Sequence, residues 1–149
     1  MFVALLGLLA AACGSPSTSA VATSPSPAGV SVVAEVDKTV KGQDEVVLTN
    51  TSAMTLYYLT SDTATTVACK GACATFWPPL LLASGDPTSS VALPGKFTVA
   101  PNANGRQVLY NGHPLYAFSK DKTSNDSNGE GINAFGGTWH VATPNLAAM

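Results

Sequence analysis

Two cysteines, Cys69 and Cys73, stand four positions apart in the segment ACKGACATFW and could carry redox or metal chemistry. In an oxidising compartment, the simplest fate of two neighbouring thiols is a bond between them. On an ideal helix this spacing strains a disulfide, so we expect a turn at Lys70–Gly71 in place of continuous helix. The spacing Cys-x3-Cys also differs from the Cys-x2-Cys of zinc ribbons and thioredoxin-like redox sites. A structural disulfide is therefore expected, and a redox or metal-handling pair is the alternative.

A tyrosine precedes an aspartate by five residues at two places: Tyr57 before Asp62, and Tyr116 before Asp121. Along a strand, Tyr116 and Phe118 point to the same side, which fits a buried face. The aspartate falls just beyond the strand, where a carboxylate can accept backbone N–H bonds from the turn that follows. We therefore expect the tyrosine hydroxyl and the aspartate to secure two equivalent corners of the fold.

Trp77 and Trp139 follow the two aspartates at comparable distances, so the tryptophan is part of the same repeated unit. The second copy reads Tyr-x-Phe-x-x-Asp, whereas the first has Leu59 in the aromatic place. The functional alternative to a structural role is a ligand groove between the copies, lined by both tyrosines and both tryptophans. A related hypothesis is a carbohydrate-binding module that uses exposed aromatic rings.

Other chemistry finds little support in the sequence. His113 and His140 each stand alone, and no histidine follows the cysteine pair as haem attachment would require. No Ser, His and Asp arrangement forms a triad, and no Gly-rich phosphate loop follows a strand. We expect no catalytic residue, no metal and no cofactor. The seven Lys and Arg residues are scattered and the net charge is −2, which argues against nucleic acid as a partner.

Strands joined by hairpin turns must position these residues. Val30–Val40 alternates and predicts a first strand with Val32, Ala34 and Val36 on one face. Two hairpin units follow, Glu45–Asp62 and Arg106–Asp121. The second unit turns at Asn-Gly, a strong short-range hairpin signal.

Between the hairpins we expect a short helix over 72–77, which Pro78 and Pro79 end. The segment 83–94 is rich in Gly, Pro and Ser and predicts a loop. A closing strand is expected over 138–143. The sequence thus predicts a mainly β domain, a compact antiparallel sandwich or barrel-like arrangement of two related hairpin repeats (about 42–82 and 97–143) with one short helix.

The first twelve residues are wholly apolar and lead directly to Cys13. They are too few to span a bilayer as a helix but suit the apolar region of a signal peptide. A cysteine after small residues at the end of such a region resembles the lipobox of bacterial lipoproteins. We predict a signal peptide over 1–12, a lipid such as palmitate on Cys13, a flexible Ser/Pro-rich linker over 13–29, the β domain over 30–144 and a tail over 145–149. An ordinary secreted protein with a free Cys13 is the alternative.

Several motifs in order carry a resemblance to a known family. They are the repeated Tyr-x4-Asp element, CKGAC leading into Trp77-Pro78-Pro79-Leu80, YNGHPLY over 110–116, and the ending from DSNGEG to GGTW. Over about residues 42–143 the chain resembles the bacterial predicted lipoproteins with a Tyr-x-aromatic-x-x-Asp motif, also called the secreted repeat of unknown function. The resemblance implies an exported, usually lipid-anchored module.

These observations predict a non-catalytic binding or structural module on the outer face of a bacterial cell membrane. It would be held to the membrane through the lipid on Cys13 and would meet an unidentified small ligand or envelope partner. Its first rival is a small extracytoplasmic redox or metal-handling protein that uses Cys69 and Cys73. The second rival is the carbohydrate-binding module.

Overall fold

The computed structural model describes residues 29–149. The expected signal peptide, Cys13 and the linker up to residue 28 lie outside the described residues. The described part forms nine strands and one helix of five residues. The elements in chain order are β1 (Val30–Val40), β2 (Gln43–Asn50), β3 (Tyr57–Leu59), α1 (Ala72–Phe76), β4 (Pro87–Ser89), β5 (Phe97–Asn102), β6 (Gly105–Tyr110), β7 (His113–Pro114), β8 (Asn133–Ala134) and β9 (Gly137–Val141).

The strands form three small sheets with the orders β2-β1-β4, β3-β9-β8 and β5-β6-β7. Every strand pairing is antiparallel except that of β1 with β4, which is parallel. The prediction of a mainly β fold built from two hairpin repeats with one short helix is confirmed. In the described residues the strands make three separate sheets and do not close into one barrel.

The two repeats are interlocked through their backbones. After the first tryptophan, Leu80 N donates to Leu115 O in the second repeat at 2.9 Å. After the second tryptophan, Ala142 N donates to Leu56 O in the first repeat at 2.8 Å. The final segment of each repeat therefore pairs with the hairpin of the other repeat. The two repeats form a single domain.

Three hairpins turn through two residues that both have a positive φ, as a type I′ turn requires. These pairs are Lys41–Gly42 (50° and 82°), Asn111–Gly112 (50° and 89°) and Phe135–Gly136 (58° and 87°). The Asn-Gly turn is the one that the sequence predicted. A bulky side chain such as that of Phe135 is a marked exception at such a position.

Details of the first sheet differ from the prediction. Val33 and Val40 are buried, whereas Val36 is exposed. The prediction that Val32, Ala34 and Val36 form the apolar face of β1 is therefore wrong. The register between β1 and β4 shifts between Ser31 and Val33, and this irregularity breaks the simple alternation. β4 itself lies inside 83–94, the segment expected to be a loop. β8 was also not predicted.

The buried side chains form two apolar clusters. The larger, called here the aromatic cluster, contains Val40, Val47, Tyr57, Leu59, Cys69, Cys73, Trp77, Tyr116, Phe118, Trp139 and Val141. The second contains Val33, Leu48, Leu56, Leu82, Val108, Tyr110, Leu115 and Ala142. Both clusters draw on both repeats, so the hydrophobic contribution to stability also depends on the repeats being together.

Residues 145–149, expected as a tail, run back over the turn at Asn111–Gly112. Asn111 Nδ2 donates to Leu146 O at 2.7 Å, and Met149 N donates to Asn111 O at 3.1 Å. Among the described residues, no helix has the length and apolar character that crossing a bilayer requires.

The turn between β1 and β2 gives a first prediction. Gly42→Ala should lower the free energy of unfolding by about 1 kcal/mol, because an L side chain at φ 82° is strained although no atom lies within 4 Å of the new methyl group. Chemical denaturation measures this. Gln43→Ala, at the neighbouring exposed position, should change stability by less than about 0.5 kcal/mol. Equal effects of the two substitutions would contradict the turn geometry.

Candidate functional site

The tyrosines and aspartates of the repeated motif form crossed hydrogen bonds. Tyr57 Oη donates to Asp121 Oδ2 at 2.7 Å, and Tyr116 Oη donates to Asp62 Oδ2 at 2.5 Å. Each hydroxyl therefore reaches the carboxylate of the other repeat, 64 and 54 positions away in the chain. The backbones of the two tyrosines also bond to each other, N to O in both directions, at 2.8 and 2.9 Å. The motif thus joins the repeats at an approximate two-fold centre.

The second oxygen of each carboxylate is used by the turn that follows it. Ala68 N donates to Asp62 Oδ1 at 2.7 Å, and Asn128 N donates to Asp121 Oδ1 at 3.0 Å. Both aspartates are buried, with 2% and 6% of their surface exposed. A buried carboxylate needs such donors because its desolvation is otherwise very costly. Each aspartate therefore fixes a corner that contains groups from both repeats.

The tryptophans stack face to face at this centre. The rings of Trp77 and Trp139 are 3.7 Å apart and inclined by only 2°. Tyr57 meets Trp77 edge-on at 5.4 Å, Tyr116 meets Trp139 edge-on at 5.2 Å, and Phe118 stacks on Trp77 at 4.2 Å. All five side chains are buried. The four rings proposed to line a groove therefore contact one another and leave no open groove between them.

Gly129 fits this packing for a steric reason. A Cβ atom at that position would lie 2.8 Å from the rings of both Tyr57 and Trp77. The Gly129 N–H also points to Tyr57 Oη at 3.3 Å. Sequence reasoning missed this close approach, because no local pattern around Gly129 reveals it.

The two corners differ in their electrostatics. Burial raises the pKa of Asp62 above its ordinary value, against the opposing effect of its hydrogen bonds. Near Asp121 lies Lys38, a buried lysine whose Nζ donates to Thr55 Oγ1 at 2.6 Å. Burial lowers the pKa of Lys38, while Asp121 and Asp126 act in the opposite direction. Lys38 therefore brings positive charge to one corner only, a role that sequence reasoning did not assign to it.

The tyrosine hydroxyls act as donors. Burial and the adjacent carboxylates raise the pKa of both Tyr57 and Tyr116 well above the usual range for tyrosine. The phenols are therefore protonated at neutral pH and donate to the carboxylates. Neither hydroxyl is available as a nucleophile or a general base.

The cysteines are bonded to each other with their Cα atoms 5.2 Å apart. Gly71 has a φ of 59° and α1 begins at Ala72, so the expected turn before the helix is present. Both cysteines are buried in the aromatic cluster. Within residues 29–149, no three His, Cys, Asp or Glu side chains are grouped to hold a metal ion.

Both histidines contact the ring of Tyr58. His113 and His140 contact Tyr58 with ring centroids 4.8 and 5.8 Å apart. His140 Nδ1 is 2.9 Å from Glu130 Oε1, and Glu130 Oε2 accepts a bond from Val141 N. Burial lowers the pKa of His113. This group is separate from the cysteines and does not combine with them.

Comparison with known proteins identified one family. The sequence model described as "secreted repeat of unknown function" matches residues 38–81 and 98–143. Each matched segment contains one tyrosine, one aspartate and one tryptophan of the repeated motif. No curated protein and no solved structure matches the chain.

Asp62 gives a prediction about pH. Because its pKa is raised on folding, the folded state holds this proton more tightly than the unfolded chain does. The free energy of unfolding of the wild type minus that of Asp62→Asn should therefore rise as the pH falls from about 7 toward about 4. Urea denaturation at a series of pH values measures the difference.

Asp126→Asn is the matched control. The N–H groups of Lys122 and Thr123 hold the pKa of the partly exposed Asp126 below its ordinary value. The corresponding difference should fall as the pH is lowered, because the ionised form is favoured in the folded state. If the stability difference changed in the same direction with pH for both substitutions, the raised pKa of Asp62 would be contradicted.

Proposed function

Because the chain belongs to the family of secreted repeats of unknown function, we propose that it is an exported lipoprotein module, held to the outer face of a bacterial cell membrane by a lipid on Cys13. Membership of a secreted family indicates an extracytoplasmic location. The disulfide is consistent with that location, since such bonds persist in oxidising compartments. The lipid anchor is the finer part of the proposal and is supported by the apolar segment that ends at Cys13.

The module is non-catalytic, and its repeated motif has a structural role. The observation that carries this is the crossed pairing of Tyr57 with Asp121 and of Tyr116 with Asp62, buried beneath the stacked tryptophans. A side chain that transforms or binds a ligand must be able to reach it. The hydroxyls of the two tyrosines and the carboxylates of the two aspartates are instead occupied by one another and by backbone N–H groups. Any ligand or envelope partner would therefore bind without using these hydroxyl and carboxylate groups.

The two rival functions have less support. A redox or metal-handling role would require access to Cys69 and Cys73, but their bond is buried among aromatic side chains. A carbohydrate-binding module that uses the motif residues would require exposed rings, but Trp77 and Trp139 are 1% and 0% exposed. The buried disulfide instead serves to hold α1 at the edge of the aromatic cluster.

Replacement of Cys13 tests the anchor. The full chain, expressed in a bacterium and fed an alkyne-labelled palmitate, should carry the label and sediment with membranes. Cys13→Ala should lose the label completely and leave the membrane fraction, because an acyl chain supplies most of the binding energy of such an anchor.

The control is Lys96→Ala, a substitution within the domain, which should keep both the label and the membrane association. Label on the Cys13→Ala variant, or wild-type chain without label in the soluble fraction, would refute the anchor. Neither result would bear on the crossed pairing inside the domain.

A further inference from the structure

An apolar cleft of about 230 Å³ opens beside the aromatic cluster. Its deeper lining includes the buried rings of Trp77 and Phe118, and its outer lining includes Phe76 and Phe135. Lys120 also lines it and is exposed. The cleft therefore shares the rings of Trp77 and Phe118 with the aromatic cluster, but none of the hydroxyl or carboxylate groups of the Tyr–Asp pairs lines it.

Phe76 and Phe135 are unusual surface residues. They are 47% and 43% exposed, and they are the only aromatic residues among the large apolar side chains exposed in the described part of the chain. Their ring centroids lie 6.4 Å apart with an inclination of 32°. They come from different repeats, yet they present two neighbouring flat apolar faces at the same cleft.

Phe135 is also held in an unfavourable backbone conformation. It has a φ of 58° at the first position of a type I′ turn, where Asn, Asp or Gly is strongly preferred. Such strain at a bulky residue is typical of functional positions. Phe135 is not part of either buried apolar cluster, so the strain does not serve to bury this side chain in the core.

Phe76 is fixed by a different constraint. It is the last residue of α1, whose Cys73 is bonded to Cys69. Phe76 O also accepts a hydrogen bond from Ser119 N of the second repeat at 2.9 Å. Both aromatic walls are therefore positioned by the backbone before any ligand arrives, which lowers the entropic cost of binding.

The charge at the cleft indicates the kind of ligand. Among the described residues, no carboxylate lies within 4 Å of the ammonium group of Lys120. The rest of the lining is mostly carbon and lacks the dense polar groups that sugar hydroxyls need. We propose that the cleft binds a flat, ring-bearing small molecule with one anionic group, of the class of aromatic carboxylates. The ring would lie against Phe76 and Phe135, and the anion would face Lys120. This inference gives the exported, non-catalytic module proposed above a ligand site and a ligand class, and it rests on that proposal.

Calorimetric titration of the full exported chain with 2-naphthoate tests the proposal. The wild type should bind saturably at one site. Phe76→Ala and Phe135→Asn should each weaken binding by about tenfold or more, because each removes an aromatic wall. Phe135→Asn should at the same time raise the thermal midpoint, because asparagine suits the turn. Loss of binding together with a more stable fold separates the site from general damage to the protein.

Two comparisons sharpen the test. Lys120→Gln should remove the preference of the wild type for 2-naphthoate over the uncharged 2-naphthamide while leaving amide binding within about twofold. Leu81→Ala, which shortens an exposed apolar side chain that does not line the cleft, should change 2-naphthoate binding by less than about twofold.

Absence of saturable binding to the wild type, or wild-type affinity in both Phe76→Ala and Phe135→Asn, would overturn the proposal. So would binding of the chain to phosphatidylcholine vesicles that depends on the two phenylalanines without any binding of 2-naphthoate, since the cleft would then be a lipid contact. Palmitate labelling of Cys13 is independent of these variants, so failure here is distinguishable from failure of the proposed anchor.

Discussion

The structure depends on two buried carboxylates, and within residues 29–149 neither of them forms a salt bridge with a Lys or Arg side chain. Asp62 and Asp121 lie within an apolar aromatic cluster, where an ionised group is tolerated only if its oxygens accept hydrogen bonds. Local turns satisfy one oxygen of each carboxylate. The other oxygen is satisfied by a tyrosine from the opposite repeat. Neither repeat can complete its own corner, so the chain folds as one interlocked pair of repeats.

Several other features follow from this exchange. The backbone hydrogen bonds between Tyr57 and Tyr116 bring β3 of the first repeat against the segment that follows β7 in the second repeat. Trp77 stacks on Trp139 at the same centre. The close stack in turn leaves room only for a glycine at position 129. The motif that is most recognisable in the sequence is therefore buried, and the exposed aromatic residues proposed for ligand binding, Phe76 and Phe135, lie outside it.

Local signals predicted much of the fold. Three correct predictions depend on a few neighbouring residues each: the bounds of β1, the Asn111–Gly112 turn and the turn before α1. Pairings between residues that are distant in the sequence could not be predicted in this way. β4 pairs with β1 across more than fifty positions and lies in a segment with loop composition. The hydrogen-bond partner of each tyrosine is also set by tertiary structure. Because the two copies of the motif are alike, the sequence does not indicate which aspartate accepts the bond from which tyrosine. Phe135 was missed because its neighbours Ala134 and Gly136 carry only a weak turn signal.

A double-mutant cycle tests the crossed pairing most directly. Chemical denaturation of Tyr57→Phe, Asp121→Asn and the double mutant should give a coupling energy of about 1–2 kcal/mol, because Tyr57→Phe removes the donor of the buried hydrogen bond and Asp121→Asn removes the charge of its acceptor. The matched cycle of Tyr57→Phe with Asp62→Asn, within one repeat, should give less than about 0.5 kcal/mol. Strong coupling within the repeat and none across the repeats would contradict the account.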